Sequence, residues 1–108
     1  MSDKPSLRLI LTTFSEETNA SAVVCQLLEE RLIACGTILP GARSLYHWKG
    51  KLEESVELVV LLKTEAATVP RCMERLAELH PYEAPEIIQI SPEAVSAPYA
   101  DWVKEVLG

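Results

Sequence analysis

The stretch SVELVVLLKT, residues 55–64, restricts the fold more than any other in the chain. Side chains alternate along an extended strand, so Val56, Leu58, Val60 and Leu62 share one face and Glu57, Val59, Leu61 and Lys63 the other. The first face is wholly apolar, and the second is apolar in its middle. A strand of this kind needs cover on both sides.

The rest of the chain supplies the cover for one side. SLRLILTTF predicts a strand from about Leu7 to Phe14, and Ser15 followed by Glu16 and Glu17 marks a helix start with acids at the positive helix end. Ala20, Val23, Val24, Leu27, Leu28 and Leu32 follow helical spacing, so that helix is expected to end near Ala34–Gly36. Strand character returns from Thr37 to Tyr46, interrupted by Pro40-Gly41 as a bulge or kink, and WKGK, residues 48–51, is the hairpin turn.

A second helix begins between Thr64 and Thr68, with Pro70 in its first turn and Val69, Cys72, Met73, Leu76 and Leu79 on one stripe. It stops at His80, because Pro81 disfavours helical geometry in the residue before it. EIIQI is a last short strand, and Tyr99, Trp102, Val103, Val106 and Leu107 stripe a terminal helix.

The order β-α-β-β-α-β plus a C-terminal helix is that of an α+β, ferredoxin-like (split βαβ) fold, one domain spanning residues 1–108. Two helices cover one sheet face. Ile10, Val59, Leu61 and either Ile87 or Ile88 are then expected on the other, where burial at about 25 cal/mol per Å2 favours cover by another subunit. The hairpin from Thr37 to Thr64 points the same way: arms of roughly a dozen residues reach about 40 Å, against about 25 Å for the helices. It is expected to project and pair elsewhere.

Composition narrows the function. A formal charge of -6 without any lysine or arginine run gives no footprint for nucleic acid or an anionic membrane surface. No apolar run approaches the length of a membrane span, and MSDKPS lacks the apolar core of a signal peptide. Cys25, Cys35 and Cys72 are odd in number and form no Cys-x-x-Cys pair, which suits a reducing compartment; a cytoplasmic protein is expected.

No phosphate loop, zinc-protease motif or nucleophile elbow is present, so an enzyme is not expected. A nucleophile–base pair could be assembled from Cys35 and His80, a signal of low specificity with two histidines and three cysteines in the chain. His80 is otherwise a metal-ligand candidate, with the Cys35 thiolate favouring copper or zinc, or a histidine well placed at the negative end of a helix. His80, Glu83 and Glu86 recur every third residue around Pro81 and Pro85, an extended strut that spreads them too far apart to chelate one ion unaided, unless a local turn draws Glu83 back. Tyr46, His47 and Trp48 form an aromatic cluster at the hairpin tip, fit for a ligand cleft, an interface or a cross-strand pair. Lys63 and Glu86 are candidates to pair across the sheet. Cys25 and Cys72, within helices, read as packing residues.

Through ERLIACGTILPGARSLYHWKGKLEES, LLKT and HPYEAPEII, the chain resembles the CutA divalent-cation-tolerance family, from about Leu7 to the terminal YADWV. The resemblance implies a ferredoxin-like subunit in a tight cytoplasmic homotrimer, similar in architecture to PII signalling proteins, that binds copper or another divalent cation. By resemblance the metal donors map onto His80, Cys35 and Glu83, and the clefts between subunits onto Trp48, Lys63, Tyr82 and Glu86. Where relatives offer a thiol in the first strand and a second histidine before His-Pro, this chain carries Thr12 and Leu79, and Thr37 replaces an Asn found in many of them. The alternative the resemblance allows is a PII-like sensor or scaffold holding a small ligand or a partner's tail in those clefts.

Overall fold

The computed structural model describes residues 4–108. Its elements are β1 (Leu7–Phe14), α1 (Glu17–Glu29), β2 (Cys35–Trp48), β3 (Lys51–Glu65), α2 (Val69–Leu79), β4 (Ile87–Ile90) and α3 (Ala97–Leu107), with a 3-10 turn at Ala66–Thr68. The four strands form one antiparallel sheet in the order β2-β3-β1-β4. This is the ferredoxin-like arrangement.

α1 and α2 cover one face. Ile10 and Phe14 of β1 and Val60 and Leu62 of β3 are buried there against Val23, Val24 and Leu27 of α1 and Val69, Cys72 and Leu76 of α2. Ile10 therefore belongs to the covered face and not to the open one expected for it. β1 is apolar on both sides, and the side bearing Arg8 and Thr12, the more polar in sequence, is the one that meets the helices.

α1 ends earlier than its apolar spacing suggests. The Arg31 N–H donates to Leu28 O and the Leu32 N–H to Leu27 O, at 3.1 and 3.0 Å, with Arg31 at φ 57°. This closure satisfies the last carbonyls and folds Leu32 back into the core as its apolar partner. Arg31 Nη1 also donates to Val106 O, tying the turn to α3. At the end of α2, His80 leaves helical geometry at φ −73° and ψ 134°, as the following proline requires.

The opposite face is only partly covered. Val103 of α3 is buried with Leu7 and Ala34 at one end, a contact that the apolar stripe of the terminal helix does not by itself locate. Beyond it Leu9, Leu11, Val59 and Leu61 are half-buried, and Leu39, Ile88 and Ile90 are exposed. Of the two candidates in β4, Ile88 faces this open side and Ile87 packs on the core.

The β2–β3 register shifts between Leu39 and Ala42, where Pro40 and Gly41 (φ 80°) are set against Leu58 alone. This bulge bends the ladder at the place where cover by the helices ends. Leu58 is the last buried residue on that side, and Leu45, Leu52 and Val56 beyond it are 61–71 % exposed. The hairpin thus projects, giving a longest dimension of 49 Å. Its turn is Lys49-Gly50, both at positive φ (51° and 77°), the type I′ geometry that matches strand twist.

Candidate functional site

The residues singled out by the sequence lie at three levels of the sheet. At the root of the hairpin, Pro81 ends α2 and turns His80 inward, where it is buried with its ring stacked on Phe14 at 4.3 Å and 14°. Its Nε2 lies 2.8 Å from Thr13 O, and the Tyr82 backbone N–H donates to its Nδ1 at 3.2 Å. A carbonyl only accepts and an amide only donates, so Nε2 carries the proton and the ring is neutral. Burial pushes the imidazole below its ordinary value, opposed by the Thr13 carbonyl and the Glu57 charge.

Tyr82 extends the same cluster. Its ring tilts against His80 at 4.7 Å and its hydroxyl donates to Glu57 Oε2 at 2.9 Å, which fixes α2's exit to the strand where the hairpin leaves the body. Burial raises the phenol, the Ser15 side chain opposes the shift, and the Glu57 carboxylate adds to it. The chain then bends at residues 82–84, so Glu83 does not lie on the straight strut expected between the prolines; it and Glu86 are exposed.

At the far end of the open face, Cys35 and Lys63 are cross-strand partners. Lys63 Nζ donates to Cys35 Sγ at 3.7 Å and also to the Thr37 hydroxyl. Tyr99 of α3 adjoins Cys35, and its phenol is raised by burial and then by that sulfur. Lys63 and Glu86 do not pair: β1 separates their strands, and Glu86 precedes Ile87, which aligns with Thr12, whereas Lys63 aligns with Leu9. Cys25 is exposed, contrary to the packing role expected of it, while Cys72 is buried with its thiol pushed up to about 11.

The third level is the hairpin tip, where Tyr46 and Trp48 are 41 % and 48 % exposed and Lys49 Nζ lies 5.8 Å from the centre of the Trp48 indole. Neither expected group converges within one chain. Thr13, which holds His80, aligns with Val59, and Cys35 with Lys63, a separation of about 13 Å along the strand; moreover the imidazole stacks on the helix-side Phe14 while Cys35 is on the open face. Trp48, opposite Lys51, is about 40 Å from Lys63 by the same measure. A Cys35–His80 dyad is not assembled in the chain.

Among the described residues no three His, Cys, Asp or Glu side chains are grouped to hold a metal ion. The donors implied by the resemblance therefore do not fit a cation within one subunit. Thr12, which the resemblance sets against a thiol, is fully buried on the helix side with its hydroxyl unpartnered, a neutral hard oxygen poorly suited to copper. Among the described residues no helix is long and apolar enough to cross a membrane.

The residues that sequence reasoning missed are Glu57, which receives Tyr82, and Tyr99, which adjoins Cys35. Nothing in the sequence signals the first contact, since it joins residues far apart in the chain. For the second, the aromatic stripe of α3 was visible but not its docking place.

The family model of the CutA1 divalent ion tolerance protein matches residues 8–106. The divalent-cation tolerance protein CutA of Thermus thermophilus is 39% identical over 100 residues, covering 93% of this chain and 97% of that protein. CutA from Xylella fastidiosa has the same fold at a TM-score of 0.91 with 37% identity, covering 95% of this chain and 99% of that one. A structure described as the periplasmic divalent cation tolerance protein CutA from Archaeoglobus fulgidus matches at 0.90 with 27% identity, covering 94% and 99%. The chain belongs to the CutA1 divalent ion tolerance family.

Proposed function

We propose that this chain contributes to divalent-cation tolerance as a non-enzymatic, cytoplasmic homotrimer whose clefts between subunits hold copper or another divalent cation. The observation that carries the reading is the uncovered apolar face: Leu39, Leu61, Ile88 and Ile90 continue into a projecting hairpin that exposes Leu45, Leu52 and Val56. Leaving that surface wet costs about 25 cal/mol per Å2, so other copies of the chain are its natural cover. Three-fold association and the cytoplasm come from the family resemblance; the three scattered cysteines, odd in number and with no Cys-x-x-Cys pair, agree with the latter.

Because the donors do not meet within one chain, a cation needs groups from more than one subunit. Cys35 and the exposed Glu83 are the available ones. Copper titration of the purified protein beside Cys35→Ala and Glu83→Gln tests this: stoichiometric binding lost in either variant supports it, and weak, non-stoichiometric binding identical in all three removes the cation from the reading.

A second reading, a PII-like scaffold for a small anion, is favoured by Lys63. Among the described residues its ammonium has the Thr37 hydroxyl and the Cys35 sulfur as partners and no carboxylate within ion-pair distance. Lys63, Trp48, Tyr82 and Glu86 would then line one cleft only as contributions from neighbouring copies. Thermal-shift screening of anionic metabolites at fixed metal is the test, and no stabilisation by any of them would count against it.

A further inference from the structure

We infer that His80 is a clasp in this chain and not a metal ligand: it locks the Pro81-Tyr82 turn onto the end of β1 and thereby sets Tyr82 against Glu57 at the root of the projecting hairpin. The inference is independent of how the subunits associate. A metal takes the lone pair of a neutral imidazole nitrogen, and here that lone pair, on Nδ1, receives the Tyr82 N–H at 3.2 Å. The other nitrogen holds its proton toward Thr13 O at 2.8 Å. Ligation at Nδ1 would break the first bond and strand a backbone N–H; ligation at Nε2 would break the second and strand a buried carbonyl.

Access is closed as well. His80 is 7 % exposed, with Phe14 stacked on one side of its ring and Tyr82 tilted against it. Among the described residues no two further His, Cys, Asp or Glu side chains are grouped with it to complete a ligand set. What the clasp supplies instead is mechanical. The contacts Thr13–His80–Tyr82–Glu57 run from β1 through the turn after α2 to β3, at the bulge where the hairpin loses the support of the helices.

The chain carries its own control, since the one other histidine, His47, lies exposed near the hairpin tip. Long-range 1H–15N spectra of the 15N-labelled protein, recorded without metal and with equimolar Zn2+, test the inference directly. His80 is expected as a single Nε2–H tautomer whose nitrogen resonances stay in place when Zn2+ is added, whatever His47 does. Stoichiometric displacement of either His80 nitrogen by Zn2+, or a dominant Nδ1–H tautomer, would overturn it.

The positioning role has a separate readout. In His80→Ala the backbone amides of residues 56–58 are expected to exchange about tenfold faster, in line with the loss of one or two hydrogen bonds, while the α1 amides are unchanged. His80→Gln, which keeps one donor and one acceptor, is expected to recover part of that protection. Equal exchange at the hairpin root in wild type and His80→Ala would refute the clasp.

Discussion

Thr12→Val is expected to stabilise the protein, although it replaces a polar residue with no exposed surface at all. Thr12 lies on the helix-covered side of β1, between Ile10 and Phe14, level with Val60 on one neighbouring strand and Ile87 on the other. Its Oγ1 has no hydrogen-bond partner among the described residues. Burying a hydroxyl without a partner costs about 1–3 kcal/mol in proteins. Valine has nearly the same shape and the same branching at Cβ, so neither the strand nor the core volume is disturbed. The methyl that takes the place of the hydroxyl adds apolar burial. A net gain of about 1–2 kcal/mol follows, which for a domain of this size raises Tm by about 4–8 °C per kcal/mol. Urea denaturation of both proteins at equal protomer concentration measures it, the concentration being held because association contributes to stability. An unchanged or lower midpoint for Thr12→Val would show that the hydroxyl is satisfied, and the reasoning from an orphaned group would fail.

Gly36→Ala places a Cβ 2.6 Å from Val24 Cγ1 and 3.3 Å from Leu62 Cδ2, both in the core, so it is expected to cost about 1–3 kcal/mol by the same urea measurement. Acid should weaken the protein through His80. Its pKa is lowered in the folded state from an ordinary 6.5, so the unfolded chain takes up the proton first as pH drops. The contribution is complete above about 6.5 and is lost as pH falls from there through the lowered folded value, and denaturation midpoints across that window should show a dependence that His80→Gln lacks.

Much of the fold was legible because a few residues act through strong local constraints. The β1 limits at Leu7 and Phe14, the stop of α2 at His80 before Pro81 and the Lys49-Gly50 turn all follow from alternation, proline sterics and positive φ. The facing of β1 was not legible: Leu7, Leu9 and Leu11 alternate with Arg8, Ile10 and Thr12, and only the helices decide which set is inside. The end of α1 was missed because Leu32 keeps the apolar period while the backbone has already turned through Arg31.

The candidate site was legible in its residues and not in their arrangement. His80 was singled out, but its two partners, Thr13 O and the Tyr82 N–H, are backbone groups that no side-chain pattern reveals. The Lys63–Glu86 pairing failed for a topological reason, because β1 lies between β3 and β4 and the register carries the two residues to different rows. Cys35 and Lys63 meet because the β2–β3 register sets them opposite each other.

The open sheet face and the hairpin beyond the Pro40-Gly41 bulge need other copies of the chain to cover their apolar side chains. Sedimentation equilibrium of the purified protein at micromolar concentration tests this most directly. It should give three times the chain mass of 12.0 kDa, unchanged on dilution. A stable species at 12.0 kDa would contradict the account, because the apolar face would then stand in water without a partner.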